Sequence, residues 1–271
     1  RRGWNRYAYR MACRLIISQN ISHIITTSPP HSTQLIGLRL KHRFPHIKWV
    51  ADMRDPWTDI YYYEMFRPSL PARLADRRME RNVLTRADRI LTVGNTLASL
   101  LSGKVENIAG KMRVLPNGFD EEDFEGISRV MPGTFTITYV GTLSPAYPVE
   151  GFIEAVSSLS AGGLPVTLKF VGTVPESIRL MLSDEKNVFR TEFVEYCEHP
   201  EAIRHMMGSS LLLMIIPDHS SAKSILTGKI FEYMATEKPV LLLGPYDGDA
   251  AQLLVKCGYQ GIFGYKDVQG I

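Results

Sequence analysis

Ser221–Gly244, SAKSILTGKIFEYMATEKPVLLLG, is the most informative stretch of the chain. Thr227 reads as a helix N-cap, Gly228 lets a ligand approach the backbone, and a helix runs from Gly228 to Ala235. The first N–H groups of such a helix and its positive dipole end make an anion site. Lys229 adds a full charge in the first turn, unfavourable at a bare helix start and favourable where a phosphate sits. Glu232 follows three residues later on the same face. A carboxylate one turn below a phosphate can accept hydrogen bonds from both hydroxyls of a ribose. These features describe a nucleotide-diphosphate pocket, with a Lys–Glu pair on an ordinary surface helix as the alternative.

Working outward, short β-rich runs alternate with helical patterns. Strands are expected at Ser22–Thr27, Ile47–Met53, Arg89–Val93 and Met112–Leu115, with helices at about Thr33–Arg43, Ala72–Arg86 and from Thr96. The alternation stops at PNGFDEEDFEGISRVMPG (Pro116–Gly133), which is rich in Gly, Pro and acids and reads as a linker. It restarts with strands at Phe135–Val140, Val166–Val171, Val188–Phe193, Leu211–Ile216, Val240–Leu243 and Gly261–Phe263. The clearest helices between them are Gly151–Ser160, Pro200–Met207, Gly228–Ala235 and Ala250–Cys257. Such alternation indicates βαβ units on parallel sheets, hence an α/β protein of two Rossmann-like lobes. The expected division is 1–117, a linker at 118–133, and 134–271. Ligands bind beyond the carboxyl ends of parallel strands, which directs attention to a cleft between two such lobes.

Composition sets the bounds. The chain has 271 residues, 45% apolar, and a net charge of +3, too small to suggest a nucleic-acid binder. Cys13, Cys197 and Cys257 are far apart and form no CxxC pair, so they read as reduced, partly buried cytosolic thiols. The histidines show no metal-binding spacing, and Asp247-Gly248-Asp249 lacks the rest of a calcium loop, so neither metal nor cofactor is expected. The longest apolar runs are strand-length, far below the ~20 residues that cross a bilayer. Arg1 stands where a Met would start a chain, and RRGWNRYAYRMACRL has no apolar core of a signal peptide.

KIFEYMATEKPVLLLG (Lys229–Gly244) resembles the carboxy-terminal signature of GT-B glycosyltransferases, especially the large retaining family 4. ITYVGTLSPAYPVEGFIEAVSSL (Ile137–Leu159) is similar to the first strand, glycine turn and helix of their donor lobe. LKFVGTVPESI (Leu168–Ile178) is similar to its second strand, and EAIRHMMGSSLLLMIIP (Glu201–Pro217) to the helix and strand before the donor helix. The resemblance implies that Glu232 binds the ribose of a UDP- or GDP-sugar and that the base stacks at the strand end Phe193–Tyr196, with Phe193 and Val194 the residues named for it. Two departures stand out. The second glutamate of the family, eight residues before the ribose Glu, is here Ser224. The Arg and Lys that usually follow the first glycine turn are also missing: Thr142 follows Gly141, and no basic residue occurs before Lys169. The diphosphate would then rest on Lys229, the helix start and the backbone at Gly141–Thr142. Asp249 reads as the N-cap of a further helix, with the Gly248 backbone near the donor.

In the first lobe, TTSPPHS (Thr26–Ser32) and VADMRDPWTD (Val50–Asp59) each follow a strand. Asp52, Asp55 and His31 are the catalytic candidates, with Arg54 and Trp57 on the acceptor side and Trp57 as a sugar platform. DMRDPW resembles a D-(F/L)-R-D-P-W segment of bacterial polysaccharide-type glycosyltransferases. The alternative is that the acids cap loops or pair with Arg54 while Trp57 packs beneath the lobe. Ala72, Ala75, Met79, Val83 and Ala87 form one face of a helix whose opposite face carries Arg73, Arg77 and Arg81. A basic amphipathic helix of this kind can lie on an anionic membrane, with Tyr61-Tyr62-Tyr63 as anchors, or simply pack on its sheet.

The resemblance therefore implies transfer of a sugar from a nucleotide-diphosphate sugar to a glycan or lipid-linked acceptor, with retention and without a metal. The cysteine usage points to a cytoplasmic location, and the basic helix leaves peripheral contact at the inner membrane face open. A non-catalytic binder of nucleotide sugar or polysaccharide and a nucleotide-sugar epimerase are the alternatives. With only about four strands before the linker, the first lobe is expected to be incomplete and the closing C-terminal helix missing, so this stretch alone is expected to be inactive.

Overall fold

Alternating short apolar runs and helices become two all-parallel sheets in the computed structural model, which describes residues 3–60, 62–127 and 132–271. Tyr61 and residues 128–131, part of the expected linker, lie outside the described residues. The chain divides into two compact units, Arg1–Pro116 and Asn117–Ile271.

The first unit opens with α1 (Asn5–Ser18), followed by β1 (His23–Ser28), α2 (Gln34–Arg43), β2 (Lys48–Met53), α3 (Leu70–Arg86), β3 (Arg89–Thr92), α4 (Asn95–Ser102) and β4 (Met112–Val114). The strands pair in the order β1-β2-β3-β4. The opening segment, which the sequence did not mark as an element, is a 14-residue helix. It packs through Ile16, Tyr9, Ala12 and Cys13 against Ile36 and Leu40 of α2. Its remaining large apolar residues, Tyr7, Met11, Leu15 and Ile17, are exposed, as is Trp4 before it, which blurs the core-facing stripe in the sequence. Gln34, fully buried, joins the carboxyl ends of two strands by donating to the carbonyls of Thr26 (3.0 Å) and Asp52 (2.8 Å).

α3 departs from the expected face. Ala72 and Ala75 are exposed, whereas Glu80 is buried with Val83 and Leu84. A buried carboxylate is tolerated only with a partner. Glu80 has one in Lys104, whose Nζ lies 2.7 Å away.

The second unit contains β5 (Phe135–Val140), α5 (Glu150–Ala161), β6 (Val166–Val171), α6 (Glu176–Leu182), β7 (Arg190–Val194), α7 (His199–Met207), β8 (Leu211–Ile215), α8 (Lys229–Ala235), β9 (Val240–Leu243), α9 (Asp249–Lys256) and β10 (Ile262–Phe263). The order is β10-β9-β8-β5-β6-β7. Helices cover both faces, so β8 and β9 read as unbroken apolar runs. One side of the sheet packs Tyr139, Phe152 and Phe170, and the other Val140, Met214, Ile230 and Tyr233.

Strand order reverses at the β5–β8 seam, where only Ile137↔Leu211 and Thr138↔Leu212 are in register. Crevices at such reversals are where open α/β sheets bind ligands. The Tyr233 hydroxyl fills the widening gap, accepting the Val140 N–H at 3.0 Å and donating to the Leu213 carbonyl at 3.2 Å. That anchorage fixes α8 over the seam.

Candidate functional site

The turns after β5 and β6 each need glycine. Gly141 has φ +119°, and a Cβ there would lie 3.2 Å from Lys229 Nζ. Gly172, after β6, has φ +115°, and its Cβ would meet the Gly141 carbonyl oxygen at 2.5 Å. Neither position accepts an ordinary side chain without strain. The two turns therefore nest, and Lys229 comes up beneath them.

Lys229 Nζ donates to the Tyr139 hydroxyl (2.9 Å) and the Val140 carbonyl (3.1 Å), and lies 4.2 Å from the Tyr139 ring centroid. The Tyr139 hydroxyl donates in turn to the Thr142 carbonyl at 3.2 Å. Desolvation by this cage pushes the Lys229 ammonium down to about 8 from 10.5, against the opposing pull of the Glu232 carboxylate. The lysine is a confined cation at the strand-order reversal.

Glu232 lines a cavity of about 750 Å³ with Gly118, Phe119, Asp120, Glu121 and Glu122. His199, the first residue of α7, places Nε2 3.0 Å from Glu232 Oε1, and its Nδ1 lies 3.6 Å from Asp123. The sequence gives no local sign of this contact, because the partners are 33 residues apart. Tyr139 went unmarked for the same reason: its lysine lies 90 residues on.

Several expected roles in this unit require correction. Thr227 does not cap α8; its hydroxyl contacts Met214 Sδ at 3.5 Å, and Gly228 occupies the cap position with no side-chain cap. The N–H groups of Ile230 and Phe231 donate back to the Thr227 and Gly228 carbonyls, so this seven-residue helix offers fewer open donors than its sequence suggests. The Gly141 N–H is engaged by the Val171 carbonyl at 2.8 Å, so the glycine offers close approach rather than a donor. Thr142 beside it is exposed. The Phe193 ring is engaged by Phe170 (5.9 Å) and by the Arg179 guanidinium (4.6 Å), and Val194 packs into the core. Tyr196 stands exposed just beyond the same strand. Gly248 is buried against Pro245 and Lys223, and Asp249 is the first residue of α9 rather than its cap. Ser224 is buried, its hydroxyl donating to the Ser221 carbonyl at 2.9 Å.

In the first unit, His31 and the loop after β2 come together. His31 stacks on Trp57, ring centroids 5.6 Å apart, and its Nε2 lies 3.2 Å from the Asp55 carbonyl. Burial pushes the imidazole down, against the raising effect of Asp55, and pushes the Asp55 carboxyl up. Asp52 is instead paired with Arg54 at 2.9 Å. Trp57 is 7% exposed and covered by His31, so it is not the open sugar platform expected. His31 and Trp57 line a cavity of about 410 Å³ with Pro29, Ile60, Tyr63 and Phe66. Glu80 fixes this loop, accepting from the Trp57 N–H (3.3 Å) and the Thr58 hydroxyl (2.7 Å), and Lys104 binds Glu80, Thr58 and Asp59 together. Neither Glu80 nor Lys104 was marked by the sequence, where they sit among surface-like charges.

Among the described residues no group of three His, Cys, Asp or Glu is placed to hold a metal, and no helix is long and apolar enough to cross a membrane. No protein-family profile and no curated protein matches the chain. Solved structures do resemble it. HepE of Anabaena, solved with UDP and glucose, is similar over 97% of this chain and 68% of its own, with a TM-score of 0.60 and 18% identity. The UDP-forming trehalose-phosphate synthase of Burkholderia xenovorans, solved with glucose-6-phosphate, is similar over 99% of this chain and 67% of its own, with a TM-score of 0.65 and 12% identity. A putative UDP-N-acetylglucosamine 2-epimerase of Listeria monocytogenes is similar over 97% of this chain and 68% of its own, with a TM-score of 0.52 and 11% identity. With two parallel, helix-flanked Rossmann-like units matched to these proteins along almost all its length, the chain has the GT-B glycosyltransferase fold.

Proposed function

We propose that the chain binds a nucleotide-diphosphate sugar through its second unit and serves sugar transfer to a glycan or lipid-linked acceptor. The observation that carries this is the placement of Lys229 under the Gly141 turn, with Glu232 one helical turn away facing a cavity. In this reading Lys229 faces the diphosphate and stabilises the negative charge that develops on the leaving group. Glu232 accepts from the ribose hydroxyls once it exchanges its contact with His199, and Tyr196 is the exposed ring available to the base. Lysine in this place compensates for the missing cations after Gly141. Asp55 and His31 are the proposed reactive groups of the acceptor side, with Asp52 set aside by its pairing to Arg54. Retention and metal independence follow the sequence resemblance.

A second reading, binding without turnover, is favoured by Ser224, whose inward hydroxyl leaves the sugar-contacting glutamate of the family unreplaced. A panel of nucleoside diphosphates scored by thermal shift tests the pocket. UDP or GDP should stabilise the chain, and Glu232→Ala should abolish the shift; an unchanged shift means the pocket lies elsewhere. Product formation from a labelled nucleotide sugar then separates the two readings.

A further inference from the structure

The modest net charge of the chain conceals a polarised one. Arg1–Pro116 carries 20 Lys and Arg against 8 Asp and Glu, a net +12, so the remainder carries −9. Such asymmetry between halves points to an anionic partner for the basic half.

The basic unit also exposes large apolar side chains in one place. Met65, Phe66, Leu70 and Leu74 are 57–75% exposed. Arg73 fastens the turn Glu64–Phe66 to the start of α3 by a two-pronged pair with Glu64 and a bond to the Pro68 carbonyl. At 3.6 residues per turn, Leu70, Leu74, Arg77, Arg78 and Arg81 fall within roughly a third of the helix circumference. All five are exposed, as is Arg67 in the turn. This outer face is not the alanine stripe suggested by the sequence. Apolar side chains ringed by arginine on a helix without a spanning segment are the composition of a surface that lies in a bilayer interface. A nucleic acid would use the charge and leave four large apolar side chains in water.

We propose that the first unit seats on an anionic lipid bilayer through the turn Glu64–Phe66 and the outer face of α3. Phe66 also lines the cavity of His31 and Trp57, so that cavity would open at headgroup depth, where a lipid-linked acceptor presents its sugar or phosphate. This seating is independent of the donor reading, because it is measured as vesicle association rather than nucleotide binding.

Co-sedimentation of the full chain with vesicles of phosphatidylglycerol and phosphatidylcholine, compared with phosphatidylcholine alone, is the test. Binding is expected only to the anionic vesicles. It should weaken with salt and fall roughly tenfold in both the Phe66→Ser/Leu74→Ser and the Arg77→Glu/Arg78→Glu/Arg81→Glu variants. Thermal melting of each variant checks folding. A Phe66→Trp variant gives a second readout, its added fluorescence shifting to the blue when anionic vesicles are present. The proposal is overturned by absence of binding, by binding that both variants retain, or by fluorescence of the Phe66→Trp variant that does not shift. It is overturned equally if Trp4→Ser/Met11→Ser in α1 abolishes binding in place of the α3 variants, or if single-stranded RNA competes the chain off the vesicles.

Discussion

The Tyr233 hydroxyl stands 3.0 Å from the Val140 backbone nitrogen and accepts its N–H inside the sheet, between two strands that have ceased to pair. Removing it leaves a buried donor without its acceptor, which costs about 1–3 kcal/mol. Tyr233→Phe should therefore lower unfolding stability by that amount in a denaturant titration. Because the same hydroxyl holds α8 over the seam, nucleoside diphosphate affinity should fall as well. Lost stability with undiminished affinity would show that α8 is positioned by its apolar packing alone.

Lys229 gives a pH dependence of definite sign. Folded, it releases its proton at about 8, against an ordinary value of 10.5. Between these values the unfolded chain binds more protons, so the ligand-free protein gains stability as pH rises through that window. Anion binding runs the other way: it needs the ammonium, so affinity for a nucleoside diphosphate should fall above about pH 8. Lys229→Met should remove both trends and most of the affinity. Calorimetric titration across the pH range checks this; a flat affinity profile for the unaltered chain would exclude Lys229 from the diphosphate site.

Glu80 and Lys104 form the corresponding anchor in the first unit. Breaking a buried pair by removing one partner costs about 3–5 kcal/mol. Glu80→Ala should destabilise the chain on that scale, and adding Lys104→Met should cost much less than a second independent loss. The Trp57 loop should loosen in parallel, visible as faster amide exchange across 57–59.

Gly172→Ala tests the nested turns. A methyl group there would meet the Gly141 carbonyl oxygen at 2.5 Å in a backbone conformation that alanine resists. The variant should bind nucleoside diphosphate at least about tenfold more weakly, an energy of roughly 1.4 kcal/mol, because the Gly141 turn must move.

Much of the architecture was legible because burial on both sheet faces leaves a plain trace. VLLL at Val240–Leu243 and LLLMI at Leu211–Ile215 have no polar interruption and stand between helix-length segments. α1 left no such trace, since Trp4, Tyr7 and Met11 point outward and no polar side chain caps its start. At the site, Lys229 and Glu232 were visible because their relation is local, three residues on one short helix. Tyr139, His199 and Tyr233 act through partners brought close only by the sheet. Gly248 misled for a related reason. A glycine before a helix suggests ligand approach, whereas this one makes room for Pro245 and the Lys223 backbone.

The thin seam between β5 and β8 has a mechanical meaning. Two half-sheets, β5-β6-β7 and β8-β9-β10, meet there through two paired positions, the hydrogen bonds of Ser209 and Ser210 to Thr138 and Thr136, and one phenol. A diphosphate held against both the Gly141 turn and Lys229 would touch one half and the other and act as a rivet. Amides on either side of the seam should then exchange most readily in the empty protein and slow together on loading, so the donor would complete the unit as a rigid body as well as occupy it.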